Sequence, residues 1–342
     1  MIVYMKTNKI ESQKLGIGDI KDKKDKRDFR ISGIQTIVDL PTIFSLENTF
    51  PPKNQFSRGS CTSQAQSHHK ERQENVTCSA RAVMAWTKEL EGNTNYGAMT
   101  RNTFKIVNEK GVPEERLYQE PGAEMGWEEY INTKYIPETA INNAPEHKSN
   151  SYWRVENSPE AIKQTIYQNL NSVVISMAWY REFNRPPEDG ILKAGYKKEN
   201  YVGGHAVEIE GWNNHIGALQ VKNSWGTGWG KNGRFFIPYE LCIDLIWDAW
   251  CSLDIPQNLP IDEYYGQERT WNKYLQEKTM AFNPWLYNKI NRLPNNREIK
   301  GLVYGFWSFD AVFNGKVKDI WLKETKPSAI KNGIIDENEN LL

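Results

Sequence analysis

Between Cys61 and Trp86 the chain runs without a proline or a glycine and is rich in Ala, Gln, Glu, Lys and Arg. Such a stretch predicts one long helix beginning at Cys61, directly after the bend Ser57-Arg58-Gly59-Ser60. A second helix is expected over Thr100 to Lys110, stopped by Gly111 with Pro113 beyond, and a third over Pro159 to Asn171. The chain then changes character. Ser172 to Ala178, Ala206 to Trp212, Leu219 to Lys222 and Arg234 to Pro238 carry β-branched and aromatic residues between Gly/Asn turns and read as strands. Helices first and strands second predict an α+β molecule with two unlike halves.

The length, 342 residues, allows about two domains at ~100 to 200 residues each. Lys and Arg number 43 against 43 Asp and Glu, so no global field recruits nucleic acid or an anionic membrane surface, and neither is expected as a partner. The most apolar run, Val173 to Trp179, is far short of the ~20 residues a bilayer span needs. Met1 to Met5 is apolar but too short for a secretory signal, and four cysteines make no disulfide framework. The expected setting is reducing: cytoplasmic, or inside an assembled particle.

Three segments are expected. Residues 1–34 form a charged arm, in which six Lys/Arg and four Asp interleave from Asp19 to Arg30; interleaving argues for a solvated extended strand of chain. Residues 35–256 form the main domain, entered through an extended lead-in from Leu40 to Asn54 punctuated by Pro41, Pro51 and Pro52. After the break Ile255-Pro256-Gln257-Asn258-Leu259-Pro260, residues 257–342 form an aromatic, basic extension. Within it Asn283-Pro284 opens a candidate helix and Leu302 to Trp307 a candidate strand. Trp271, Trp285, Trp307 and Trp321 either pack on the main domain or form a face for a protein or glycan partner.

Cys61 stands at a helix N-terminus, where the aligned peptide dipoles favour thiolate over thiol. Cys78, expected further along the same helix, and Cys242 and Cys251, among Leu, Ile and Trp, read as small buried hydrophobes. Of five histidines, His68 and His69 are adjacent on the predicted helix and expected to be solvated, while His147 and His215 fall in polar turns. His205 opens a strand whose partner ends at Asn223. A hairpin turn at Asn214, from which 205 and 223 are equidistant, sets the Asn223 amide beside the His205 ring. Glu208 and Glu210 share one strand face and read as a salt-bridged or solvated pair rather than a catalytic dyad. No metal-ligand spacing and no phosphate-binding glycine loop occurs, and no cofactor is implied.

Gln55-x5-Cys61, Gly59-Ser60-Cys61, Gly204-His205-Ala206 and the run Asn223-Ser224-Trp225-Gly226-Thr227-Gly228-Trp229-Gly230 together resemble the papain-like cysteine peptidases, above all prokaryotic or viral members without a long propeptide. The Cys-to-His separation lies inside the ~130 to 150 residues usual for the family, and the Cys-to-Asn separation slightly exceeds it. The resemblance covers roughly residues 35 to 255. It implies a two-lobed fold, a helical lobe headed by Cys61 and a β-rich lobe carrying His205 and Asn223, and a peptide or protein substrate.

The resemblance also implies roles: Cys61 as nucleophile, His205 as general base and acid, Asn223 as its orienting partner, and Gln55 with the Cys61 N–H as oxyanion donors. Trp225 would cover the Asn223–His205 bond, and Ala206 and Val174 would line a substrate side-chain pocket. Two departures stand out: Thr62 replaces a frequent Trp, and Arg58 sits where secreted relatives place a disulfide cysteine. Other readings that keep the fold are a structural or assembly component of a large particle and an amidase acting on cell-wall peptide.

Overall fold

A computed structural model describes residues 15–23, 25, 28, 39–46 and 50–253. The extension expected over 257–342, with its candidate helix, strand and tryptophans, lies outside them, as does the whole break at Ile255 to Pro260.

The lead-in gives strand β1 (Ile43–Ser45), and the helical part follows as α1 (Cys61–Glu74), α2 (Ala80–Glu91), α3 (Thr100–Glu109) and the short α4 (Trp127–Tyr130) and α5 (Glu138–Asn143). Next come β2 (Ser151–Arg154), α6 (Pro159–Asn169), β3 (Val173–Tyr180), β4 (Tyr201–Asn213), β5 (Ala218–Lys222), β6 (Arg234–Pro238), α7 (Tyr239–Leu245) and β7 (Ile246–Leu253). The α+β order read from the sequence is therefore the observed one. The single long helix is not. It breaks after Glu74 because Asn75 adopts a left-handed conformation and returns its N–H to the Glu71 carbonyl, after which Ser79 caps α2 by accepting from the Ala82 N–H. Cys78 consequently lies in the link between two helices, still buried.

Among the described residues seven antiparallel strands form one sheet, ordered β2-β7-β3-β4-β5-β6, with β1 pairing along the last residues of β4, Gly211 to Asn213. Alternation along β3 divides its side chains between two faces. Val173, Ile175 and Met177 join Ile162 and Ile166 of α6, together with Val207, Ile209 and Trp212 of β4, in the larger core. Val174, with Ala206 and Trp250, faces Cys61 and Ala65 of α1 and Phe104 of α3. A separate core, built on Val83, Trp86, Ile106, Val107 and Tyr118, holds the helical lobe.

Helix α1 runs between the lobes and is buried from Cys61 through Glu71 in spite of its polar sequence. His68 and His69 are thus not solvated. His69 sits between Ser172 Oγ (3.0 Å) and Ser252 Oγ (2.9 Å), and burial holds its imidazole down to about 3. His68 Nε2 accepts the Lys53 N–H at 2.9 Å. Around it run buried ion pairs, Lys53–Glu71 at 2.7 Å and Lys222–Glu208 at 3.0 Å, and Glu210 is paired with Arg234. Glu208 and Glu210 are therefore salt-bridged, as their alternation with Val207 and Ile209 suggested. Polar residues on every side of α1 are what a helix needs when both lobes meet it through hydrogen bonds rather than through an apolar stripe.

The N-terminal arm departs furthest from expectation. Instead of extending into solvent, residues 15–23 lie between the lobes, with Ile17, Asp19 and Asp22 buried. The acids spaced three apart turn inward: Asp25 and Asp28 pair with Arg101 at 3.1 and 2.6 Å, and Asp28 also reaches Arg154 at 3.2 Å.

Candidate active site

Cys61 is the first residue of α1 and is fully buried. The bend before it is closed by the Ser60 N–H donating to the Arg58 carbonyl at 2.8 Å. Arg58, at the position noted as a departure, is itself buried. Its guanidinium donates to the Gly122 carbonyl (2.7 Å), the Pro121 carbonyl (3.0 Å) and Glu120 (3.0 Å), so an ion-paired fork ties this loop to the neighbouring one.

His205 and Asn223 meet as expected, Nε2 to Oδ1 at 2.7 Å, but through a different register. Glu208 pairs with Lys222 and Ile209 with Val221, centring the hairpin on residue 215, and Asn223 follows the last paired residue of β5. The Ser224 N–H donates to the same Asn223 Oδ1 at 2.8 Å. That bond identifies the atom as the amide oxygen, so His205 Nε2 must be the donor and Nδ1 carries the lone pair. His205 Nδ1 is buried without a hydrogen-bond partner. The ring lies 4.9 Å from Trp225, tilted 31°, and 4.9 Å from Trp179, edge-on at 73°. Trp225 thus packs against the imidazole as anticipated. Trp179 shares that task and was not singled out from the sequence.

Gln55 is fixed through both its backbone and its side chain: its N–H donates to the Ser224 carbonyl at 2.9 Å, Ser224 Oγ donates to its Oε1, and its Nε2 donates to the Arg58 carbonyl at 2.8 Å. Its Nε2 also donates to the Gly16 carbonyl. The amide expected to face an oxyanion is thereby occupied by the protein's own backbone.

From Gly16 the segment crosses the front of Cys61. The Gly18 N–H, like those of Thr62 and Ala206, faces the Cys61 sulfur. The Ala98 N–H donates to the Gly18 carbonyl (2.9 Å), the Asp19 N–H to the Gly204 carbonyl (2.9 Å) and the Ile20 N–H to the Ala98 carbonyl (3.0 Å), so both lobes grip the segment as a short strand. Only glycine fits at residue 18, since a Cβ there would stand 2.7 Å from the Gly59 Cα. Gly16 is left-handed, at φ +69°, and a Cβ on it would meet the Gln55 amide at 2.6 Å. The Asp19 carboxyl is buried against Thr100 Oγ1 and Ser176 Oγ, each 3.0 Å from its Oδ1. Asp22 follows, receiving Trp250 Nε1 at 2.7 Å and the Arg101 N–H at 3.2 Å, while its own N–H donates to Asp248 Oδ2 at 3.0 Å.

Covered in this way, the site has the opposite electrostatics from those expected at a helix N-terminus. Burial, with the Asp19 carboxyl beside it, pushes the Cys61 thiol up to about 12, and the three backbone N–H groups offset only part of that. Burial likewise holds His205 down to about 4, against the opposing pull of its Asn223 bond. Thiol and imidazole are both neutral.

Ala206 and Val174 are both fully buried on the sheet face turned toward Cys61. The glycines at 16 and 18 and the three-residue spacing of Asp19, Asp22, Asp25 and Asp28 are the sequence signals that mark this segment as built to fit a cleft.

Two lobes around a polar central helix, with a cysteine at its head and a His–Asn pair on the facing sheet, define a papain-type cysteine peptidase. Residues 48–241 match the model of the papain family of cysteine proteases, more than half the chain, and the chain belongs to that family. It is similar to an uncharacterized peptidase C1-like protein of Acanthamoeba polyphaga mimivirus, 26% identical over 70% of this chain and 86% of that one. Over a shorter stretch, 34% of this chain and 33% of the relative, it is 29% identical to a gut-specific cysteine proteinase of Caenorhabditis elegans. Among solved structures it resembles xylellain, a cysteine protease from Xylella fastidiosa, at TM-score 0.63 and 25% identity, over 71% of this chain and 97% of that one. The chain is a cysteine peptidase, acting on peptide or protein substrates.

Proposed function

We propose that this peptidase works through Cys61, His205, Asn223 and Gln55, and that residues 16–22 hold it closed until they leave the cleft. The observation that carries the reading is the His205 tautomer fixed by Asn223, which leaves an unprotonated Nδ1 next in sequence to the residue whose N–H faces the Cys61 sulfur. In the open enzyme the Cys61 proton passes to His205 Nδ1 and the sulfur attacks the substrate carbonyl carbon. The resulting oxyanion accepts hydrogen bonds from Gln55 Nε2 and the Cys61 N–H, where Gly16 now supplies a carbonyl oxygen to the glutamine. Collapse breaks the C–N bond. His205 protonates the departing amine and leaves a thioester on Cys61, and a water that gives its proton to His205 then releases the acid and restores the thiol.

The closed state is inert for two reasons: the carbonyl-binding amide is filled, and the thiol and imidazole stay uncharged for want of water. Removing the segment rehydrates both groups and lets the dipole of α1 favour the thiolate. The test is hydrolysis of peptide amides by the full chain, with intact-mass detection of an acyl group on the peptide bearing Cys61. Loss of hydrolysis and of the adduct in Cys61→Ala is expected, and an unimpaired Cys61→Ala variant refutes the assignment.

A further inference from the structure

The two groups assigned to the oxyanion come from separate stretches of chain, the Cys61 N–H from the head of α1 and the Gln55 amide from the loop before it. Residues 53–55 lie antiparallel to 224–226: the Gly226 N–H donates to the Lys53 carbonyl at 2.8 Å, Asn54 bridges to Trp225, and the Gln55 N–H donates to the Ser224 carbonyl. These bonds tie Gln55 to the β-rich lobe. The Lys53 N–H points the other way, to α1, where His68 Nε2 accepts it at 2.9 Å. His68 stands seven residues beyond Cys61, so the two share a face of the helix about 10 Å apart. A backbone N–H can only donate, so His68 Nε2 carries the lone pair and Nδ1 the proton. Burial, with Lys222, Lys53 and Arg234 nearby, holds this ring well below its ordinary range and keeps it neutral. Nδ1 faces Glu208 Oε2 at 3.9 Å, too far for a hydrogen bond, and is buried without a partner. The bond to Lys53 is what the ring contributes. Lys53 Nζ also reaches α1, at Glu71 (2.7 Å), but that ion pair holds the end of a flexible stem, whereas His68 holds the peptide itself, two residues before Gln55.

Resting on the peptidase reading above, we infer that His68 is a positioning residue for the reaction: by accepting the Lys53 N–H it sets the Gln55 amide against the head of α1, so that both oxyanion donors converge on one point. A histidine two turns below the nucleophile thereby acts on the transition state without touching the substrate.

The test compares His68→Leu, which offers the N–H no acceptor, with His68→Gln, whose amide oxygen can take the same N–H. On a short peptide amide, His68→Leu in the full chain should lower kcat at least about tenfold with KM within about twofold, and His68→Gln should recover most of that loss. In a Gln55→Ala background His68→Leu should change kcat by no more than about twofold, because the donor it positions is gone. Hydrogen exchange at the Lys53 amide reads the tie without catalysis: it should quicken in His68→Leu and not in His68→Gln. Nitrogen NMR of the parent with labelled histidine should show an unprotonated Nε2 on the ring whose signal is lost in His68→Gln, a readout that does not depend on His68→Leu folding. A protonated Nε2, a Lys53 amide that exchanges alike in all three chains, an unchanged kcat in folded His68→Leu, or a loss that multiplies fully with that of Gln55→Ala overturns the positioning role and leaves the oxyanion assignment standing. An unimpaired kcat in Gln55→Ala overturns that assignment, and the positioning role with it.

Discussion

Raising the pH should open the cleft, and Asp22 sets the size of the effect. Burial, with Asp248 facing it, pushes the Asp22 carboxyl from 3.8 up to about 7, although Trp250 and Arg101 donate to it and Arg154 lies 3.7 Å away. Once the segment leaves, Asp22 is in water and titrates at its ordinary value. The closed state thus binds a proton that the open state has released. Closure is fully favoured below 3.8, weakens as pH rises from there to about 7, and changes no further from Asp22 above that. Three pH units at about 1.4 kcal/mol each amount to about 4 kcal/mol, or roughly a thousandfold in the opening equilibrium. Asp19, whose carboxyl is also raised well above its ordinary range by burial and by Asp22, acts in the same direction. The assay is the rate of Cys61 alkylation in the full chain between pH 4 and 8, divided at each pH by the rate in Asp22→Asn, which cancels the intrinsic titration of the thiol. The ratio should climb steeply between pH 4 and 7. A flat ratio, or one that falls with rising pH, would show that the Asp22 carboxyl is not neutral in the closed cleft.

Four further outcomes follow from the geometry. Cys61→Ala should abolish hydrolysis while thermal unfolding shifts by about 1 kcal/mol or less, since one small buried side chain replaces another. Gln55→Ala should lower kcat by about a hundredfold to a thousandfold with little change in KM, measured on a short peptide amide. Asn223→Ala frees the imidazole to adopt the wrong tautomer, so kcat should fall more than KM rises, and Asn223→Asp should displace the acid limb of the pH–rate profile by stabilising the imidazolium. Arg58→Met strands the Glu120 carboxylate beside Tyr130, and a loss of about 3 kcal/mol or more is expected in denaturant unfolding.

The sequence speaks most clearly where chemistry restricts residue type. A cysteine after a Gly-Ser bend and the Asn223 to Gly230 run were each legible because few residues can serve there, and the strands emerged from alternation and turn residues, although His205, expected to open a strand, lies inside β4, which begins at Tyr201. What stayed hidden depends on partners far along the chain. The break at Asn75 involves neither glycine nor proline and rests on an asparagine taking a left-handed conformation. Helix α1 reads as an exposed polar helix because nothing local reveals that His69 will meet Ser172 and Ser252. The arm looked solvated because its lysines and aspartates alternate, and partners more than seventy residues away in sequence make the aspartates face inward: Thr100 and Ser176 for Asp19, Trp250 for Asp22, Arg101 and Arg154 for Asp25 and Asp28. The Cys61 thiol is raised rather than lowered in this covered state for a related reason: the segment from Gly16 to Asp22 buries the sulfur and sets the Asp19 carboxyl beside it.

That segment is joined to β1 by the same chain, so its competition with substrate is a contest between an intramolecular ligand and a free one. A tether of this kind presents its ligand at an effective concentration on the order of millimolar. Diluting the protein therefore leaves the blocked fraction unchanged, and a peptide that binds the open cleft no better than Gly16 to Asp22 must itself approach millimolar before it gains entry. A single cut between the segment and β1 would abolish this advantage, leaving a short peptide to be diluted away like any other product.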